Sequence, residues 1–244
     1  MKQYEAVAEV MRQNGGYATF ALLYAEVLKV PGCDWKTKTP FHSIRRIVQQ
    51  KPDLFFKIRP GLWGLADHKE AVVKRLELEA TTPTEAAERG HSYYQGLAVQ
   101  IGNLRGYQTC VPPQDRNRRF LTETLASLVT LPEVPPFTYD HLVRRARTID
   151  VTWINQRRLP GAFLEIEHST DMNNALLKFL VLRDFRARFY VVADTARRAE
   201  FESKVQQDAF SPIRSLVRFV DYELLSEYHA KAAAMRLLER RFEP

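Results

Sequence analysis

Cysteine is scarce in this chain of 244 residues: Cys33 and Cys110 are the only two, and they form no CxxC pair and no Cys/His spacing. Neither a disulfide framework nor a cysteine-based zinc site is supported, and a reducing compartment is expected. No stretch approaches 18 uncharged apolar residues, so no membrane-spanning helix is expected. The opening MKQYEAVAEVMRQNGG lacks the continuous apolar segment of a secretion signal. Repeats and low-complexity tracts are missing too. What is present is a hydrophobic fraction of 45% and an aromatic fraction of 11%, the composition of a packed globular protein. A net charge of +7 and a pI near 9.4 suit a polyanionic partner. The length allows one large or two small domains, and the expectation is a soluble cytoplasmic protein with two.

The pattern changes near residue 70. Before it, YEAVAEVMRQN carries apolar residues at helical spacing and stops at Gly15-Gly16. ATFALLYAEVLKV reads as a second helix closed by Pro31-Gly32, and TPFHSIRRIVQQ as a third, with Thr39 as N-cap and Pro40 in the first turn. DLFFKIRPGLWGLAD reads as a hairpin turning at Pro60-Gly61. Three helices and a hairpin predict a winged helix-turn-helix. Residues 69 to about 80 read as a charged helix, TTPTEAAERG follows with a proline and a threonine cluster, and the linker is expected between them. A long helix is expected from Thr84, as its cap, to Leu104, then a strand YQTCVP, a helix RRFLTETLASLV, and a proline-rich loop LPEVPPFTYD. Strands TIDVTWIN and AFLEIEHS follow, then helix MNNALLKFLVLRDF, strand RFYVVAD, helix ARRAEFESKVQQDAF, strand VRFVDY and a helix through SEYHAKAAAMRLLER. That order predicts an α/β domain around a mixed sheet.

Within this second part, FLEIEHSTD places Glu165 and Glu167 on one face of a strand, about 7 Å apart. Asp150, between Ile149 and Val151, is expected on the neighbouring central strand. Carboxylates among apolar neighbours cost stability unless exposed, paired or bound to metal. Three together form a hard-oxygen cluster that suits Mg²⁺, with Mn²⁺ as a substitute, and metal-assisted phosphodiester hydrolysis is the chemistry such a cluster serves. The opposing reading is a polar sheet face with ion pairs to Arg147 or Arg157.

Asp150 followed by Glu165-Ile166-Glu167, with EHSTDMNNALLKF continuing into a helix, resembles the PD-(D/E)xK nuclease superfamily over roughly residues 84 to 225, in an E-x-E variant whose last position is Glu167 where lysine is usual. A second resemblance covers residues 1 to about 67. There AVAEVMRQNGG, KTKTPFHSIRRIVQ and FFKIRPGLWGLA look like the HARE-HTH winged-helix domain, known fused to restriction nucleases. Together they imply a winged-helix DNA-binding domain at 1–70, a linker at 71–83 and a restriction-endonuclease-like domain at 84–244. The implied activity is an Mg²⁺-dependent restriction-type endonuclease, with sensitivity to base modification as an accompanying expectation.

The resemblance implies Asp150, Glu165 and Glu167 as catalytic metal ligands. Lys178, in ALLKFL, either reaches back toward them or is a surface lysine. Lys36, Lys38, His42, Arg45 and Arg46 around the third helix, with Lys57 and Arg59 on the hairpin, form the basic footprint of a groove-binding helix and its wing. His168 reads as a strand-end histidine rather than a base, Ser169 and Thr170 as caps, and Glu88 and Gln95 as a solvated helix face, the alternative being the ligand that related folds sometimes add on this helix; Trp63 and Leu65 read as core, and both cysteines as structural. Expected partners are double-stranded DNA, a second copy during cleavage and a cognate methyltransferase. The competing functions are a non-catalytic DNA-binding regulator or inactive relative, and an RNA-processing nuclease.

Overall fold

The computed structural model describes residues 1–76, 82–168, 172–240 and 242. Contacts divide the chain into two compact units, Met1–Glu79 with Ser226–Pro244, and Ala80–Leu225. Among the described residues no helix is long and apolar enough to cross a membrane.

In the first unit, α1 (Gln3–Gln13) buries Ala6, Val7, Val10 and Met11 at helical spacing, and it ends before Gly15 and Gly16, both at positive φ. The segment expected as one helix over 18–30 is instead β1 (Tyr17–Thr19), α2 (Phe20–Glu26) and a short 3-10 turn, Val27–Lys29. Strand pairing overrides helical spacing there, and Thr19 then caps α2, its hydroxyl accepting from the Leu22 N–H at 3.3 Å. Helix α3 (Pro40–Gln50) starts at the expected proline, but the Thr39 hydroxyl does not cap it. Thr39 is engaged with Thr37, whose hydroxyl accepts the Thr39 N–H at 3.1 Å. Strands β2 (Phe55–Arg59) and β3 (Leu62–Leu65) form the expected hairpin, and Gly61 takes the left-handed conformation its turn requires. The antiparallel sheet runs β1-β3-β2, and α4 (Lys69–Arg75) follows it. The core gathers Met11, Leu23, Ile44, Val48, Phe55 and Leu65. Ala230 joins it from the last helix of the chain, whose residues from Ser226 onward are counted with this unit.

The second unit opens with α5 (Pro83–Leu104). Its cap is Thr82, not Thr84: the Thr82 hydroxyl accepts from the Glu85 N–H at 3.2 Å, and Pro83 takes the first helical position. After β4 (Gln108–Cys110) comes a second departure from expectation. RRFLTETLASLV is not a helix but two short strands, β5 (Arg119–Phe120) and β6 (Glu123–Thr124), joined through Leu121 at φ 55°, then one helical turn, α6 (Leu125–Leu128). Tertiary packing decides this. Gly96 of α5 leaves the opening that the Phe120 ring fills, where a Cβ would lie 2.1 Å from the ring. The proline-rich loop leads into a helix the pattern did not express, α7 (Asp140–Ala146), before β7 (Val151–Ile154) and β8 (Pro160–Glu167). Then follow α8 (Met172–Val181), β9 (Arg188–Ala193), α9 (Arg198–Val205), β10 (Val217–Asp221) and α10 (Tyr222–Glu239). Helix α9 is shorter than the span expected over 196–210, because 3-10 turns, Thr195–Arg197 and Asp208–Ile213, take up its ends.

The five-stranded sheet is ordered β10-β9-β8-β7-β4. The pairs β10/β9 and β9/β8 are parallel, β8/β7 and β7/β4 antiparallel, so the sheet is mixed and the unit α/β. Strand β8 lies at the centre, which explains why its residues are buried on both faces. One face, with Trp153, is covered by α5, the indole N–H donating to the Ala98 carbonyl at 3.1 Å. The other, with Phe163, packs against Leu176 and Phe179 of α8.

Candidate metal and catalytic centre

Alternation along β8 puts Phe163, Glu165 and Glu167 on one face, as the spacing predicted, and both glutamates are buried. Burial in a central strand needs a compensating charge, which α8 supplies. The Lys178 ammonium donates to both Glu165 oxygens, at 2.9 and 2.8 Å, and to the Thr148 carbonyl at 2.9 Å. Of the two expectations for this lysine, the structure has the one that reaches back. Arg147 bonds Glu133 and the Val134 carbonyl, so it is not the partner of the acidic face.

Asp150 lies just ahead of β7 and not within it. The reason is local: the Asp150 side chain occupies the ladder position itself, its Oδ2 accepting the Ile166 N–H of β8 at 2.7 Å. Its carboxyl thus sits between the two glutamates' strand and what lies on the α5 side. There the structure brings in Gln95 and two residues that the sequence pattern does not single out, His91 and Asp115. Gln95, expected on a solvated face, is wholly buried, and its Nε2 donates to Asp115 Oδ2 at 3.0 Å and to the Asp150 carbonyl at 2.8 Å. One turn earlier, His91 places Nε2 3.7 Å from Asp150 Oδ2. Asp115 is buried and bonded to Arg118 Nε at 3.0 Å. Ligand atoms of His91, Asp115 and Asp150 all lie within 4.8 Å of one another. The i, i+4 spacing of His91 and Gln95 was a usable signal for one helix face. Glu88 is exposed, as expected of a solvated face.

The electrostatics show a site short of positive charge. Burial pushes the Glu165 carboxyl well above its usual range, and the charge of Asp150 adds to that against Lys178. Burial also raises Asp150, opposed by His91, the Ile166 N–H and Lys178. At the end of β8 the Glu167 carbonyl accepts from the Tyr222 hydroxyl at 3.4 Å. That hydroxyl is 3.1 Å from His168 Nδ1, and the Tyr222 ring stacks on Tyr94 of α5 with centroids 3.6 Å apart. His168 is thus a strand-end residue tied to a tyrosine. Ser169 and Thr170, expected as caps, lie outside the described residues.

The basic residues of the first unit divide into two kinds. Lys36, Lys38, His42, Arg46 and Lys57 are exposed, and Arg46 donates to Gln50 at 2.8 Å along the same helix. Arg59 is half-buried. Arg45 is also half-buried, its guanidinium 4.8 Å from the Phe20 ring centroid and close to Tyr24. Leu65 is core, while Trp63 is half-buried beside Phe20. Cys110 is buried, which pushes its thiol up to about 12, and both cysteines are free thiols.

A profile of the Type II restriction enzyme NmeDI C-terminal domain matches residues 72–242. No curated protein and no solved structure matches the chain. The matched stretch contains every acidic residue of the centre and makes up well over half of the sequence, and the chain belongs to the family of the Type II restriction enzyme NmeDI C-terminal domain.

Proposed function

We propose that this protein is a restriction-type DNA endonuclease that hydrolyses phosphodiester bonds with Mg²⁺, its centre being an E-x-E form of the PD-(D/E)xK arrangement. The observation that carries this reading is the placing of the largely buried Asp150 beside the buried Glu165, with Lys178 the one lysine among the described residues seen to pair with them, in a chain of a restriction-enzyme family. The donors suit the ion: oxygen ligands with too little countercharge. Asp150 and Glu165 hold it. When bound, such an ion polarises a phosphoryl oxygen and lowers the pKa of a water.

The protein's own groups do the rest. Glu165 is pinned by Lys178, and Asp150 by the Ile166 N–H, so both carboxylates are oriented before any substrate arrives. Glu167, on the same strand face, positions or deprotonates the attacking water or shares a second metal. Lys178 supplies, from α8, the ammonium that the usual motif carries at the position of Glu167. It balances charge beside Glu165.

The three helices and antiparallel sheet of the first unit support reading it as a HARE-type winged helix that binds double-stranded DNA. Lys36, Lys38, His42, Arg46 and Lys57 face solvent around α3 and the hairpin, and Arg45 and Arg59 complete the basic footprint. Recognition falls to residues 1–70 and chemistry to the domain from residue 84, with the protein acting on duplex DNA as a homodimer. The test is incubation of purified protein with plain, methylated and hydroxymethylated DNA, and with RNA, with and without Mg²⁺. Mg²⁺-dependent cutting of DNA that vanishes in Asp150→Asn is the expected result. Cutting of RNA alone, or cutting that survives Asp150→Asn, would overturn it.

A further inference from the structure

The centre has more donor atoms than the Asp150–Glu165 pair uses, and they are of a different kind. His91 and Gln95 stand one turn apart on α5, and Asp115 follows Pro112-Pro113 in a short 3-10 turn. The three metal-ligating side chains, His91, Asp115 and Asp150, bring one atom each within 4.8 Å of the others. His91 Nε2 has no hydrogen-bond partner although that atom is buried. Gln95 gives a second, independent observation. It is 0% exposed, its Nε2 is tied to both Asp115 and Asp150, and its Oε1 has no partner at all. A buried polar atom without a hydrogen-bond partner costs free energy, so a ring nitrogen and an amide oxygen left so on side chains one helical turn apart are unfavourable in a purely structural cluster.

We propose that His91, Asp115 and Asp150 form a cation position distinct from the Asp150–Glu165 pair, and that its imidazole makes it take a first-row transition ion, with Mn²⁺ as the EPR-visible probe, in preference to Mg²⁺. The preference follows from the nitrogen donor. Imidazole suits transition ions, whereas an all-oxygen set suits Mg²⁺ and Ca²⁺. The existing bonds of Asp115 leave room for this. Each carboxylate oxygen has a second lone pair, and Arg118, 37% exposed, is a surface partner that can turn outward. Asp150 belongs to both positions, so this inference rests in part on the reading of Asp150 and Glu165 as metal ligands.

The experiment titrates Mn²⁺ into metal-free full-length protein and counts the free ion by its EPR signal. Parent protein is expected to take up two ions per chain, His91→Gln and Glu165→Gln one each, and Asp150→Asn none. The ion left in Glu165→Gln is expected to resist an excess of Mg²⁺, and the ion left in His91→Gln to be displaced by it. Uptake of one ion by the parent, kept in His91→Gln and lost in Glu165→Gln, overturns this proposal and leaves the nuclease pair standing. The reverse pattern keeps this proposal and removes the nuclease pair. No uptake removes both. His91 is 18% exposed at its side chain, so its replacement is expected to fold. Thermal unfolding checks that, and His91→Asn serves as the second variant.

Discussion

The two sides of the centre are built on opposite principles. On the sheet side, Glu165 is 3% exposed at its side chain and its partner Lys178 13%, a pair taken out of water together. On the helix-and-turn side, Asp115 is 6% exposed but its partner Arg118 37%, so that pair is half in solvent. Burying both ions raises the penalty for removing either one, because the other is left uncompensated, while a partner near the surface is replaced by water at small cost. The sheet side is therefore rigid and committed, and the other side is adjustable.

The largest expected difference concerns cleavage. Asp150→Ala and Glu165→Ala should lower the rate by about a thousandfold or more, the several kcal/mol that metal-assisted charge stabilisation supplies, while Asp115→Asn should cost less than either in Mg²⁺. Plasmid nicking rates at saturating Mg²⁺ measure this. Equal losses for Asp115→Asn and Glu165→Ala would erase the distinction between the two sides. Glu167→Ala should also lose much activity, and Glu167→Lys should restore part of it if the glutamate handles water.

Stability offers the next test. Lys178→Ala leaves Glu165 buried and unpaired, and should destabilise the metal-free protein by roughly 3–5 kcal/mol in urea unfolding. Arg118→Ala should cost about 1 kcal/mol or less. Added Mg²⁺ should recover part of the Lys178→Ala loss. Similar midpoints for the two variants would count against the comparison.

Acidity separates the two kinds of buried group further. His229, buried on α10, is held at about 4 from its usual 6.5 by burial alone, so the folded protein keeps it neutral. The unfolded chain binds that proton first. This contribution is full above pH 6.5 and is lost as pH falls toward 4, by about 3 kcal/mol in all. Glu165 has the opposite sign: its raised carboxyl binds a proton more readily when folded, so stability falls as pH rises above its ordinary value of 4.5. Replacing His229 by Leu should unmask that trend in metal-free protein, and Mg²⁺ should abolish it. A stability profile rising steeply with pH in His229→Leu would mean the acidic pair is already compensated.

The smallest effect contrasts two adjacent arginines. Arg46→Ala should weaken DNA binding by about 1–3 kcal/mol if it meets a base, or flatten the salt dependence if it meets a phosphate. Arg45→Ala should chiefly lower the stability of the first unit, by about 1 kcal/mol, through its lost contact with Phe20. Filter binding at several salt concentrations, paired with thermal unfolding, distinguishes them. Interchanged outcomes would reassign the two side chains.

Residues in regular elements were the readable ones. Glu165 and Glu167 announced themselves because alternation in a strand is a sequence-level property, and the helix after them placed Lys178 within reach. Asp115 gave no such sign: it sits in a 3-10 turn with no period, and only the folded chain carries it to Gln95. The misread helix at 118–129 has a similar origin. Its apolar spacing suits a helix, but the cavity over Gly96 on a distant element captures Phe120 and bends the chain into a hairpin. The Thr82 cap was obscured by three threonines around one proline, Thr81, Thr82 and Thr84, of which Pro83 at the first helical position selects the one directly before it. The reading of Gln95 as solvated failed because polarity on a helix was equated with exposure, whereas here it marks a buried connection.

Helix α10 has a consequence for the order in which the molecule can be made. It begins at Tyr222 directly after β10, yet Ala230 is part of the core built around Met11 and Ile44, and Ala234 and Leu237 pack against that core. The Ser226 hydroxyl donates to the Pro60 carbonyl at the hairpin turn, 2.9 Å away. During synthesis the stretch 80–225 is therefore complete before the other unit receives its closing helix. The sheet that carries the acidic residues can fold while the unit in front of it still waits for its final segment, and exchanging that unit with a relative's requires replacing two separate pieces of chain.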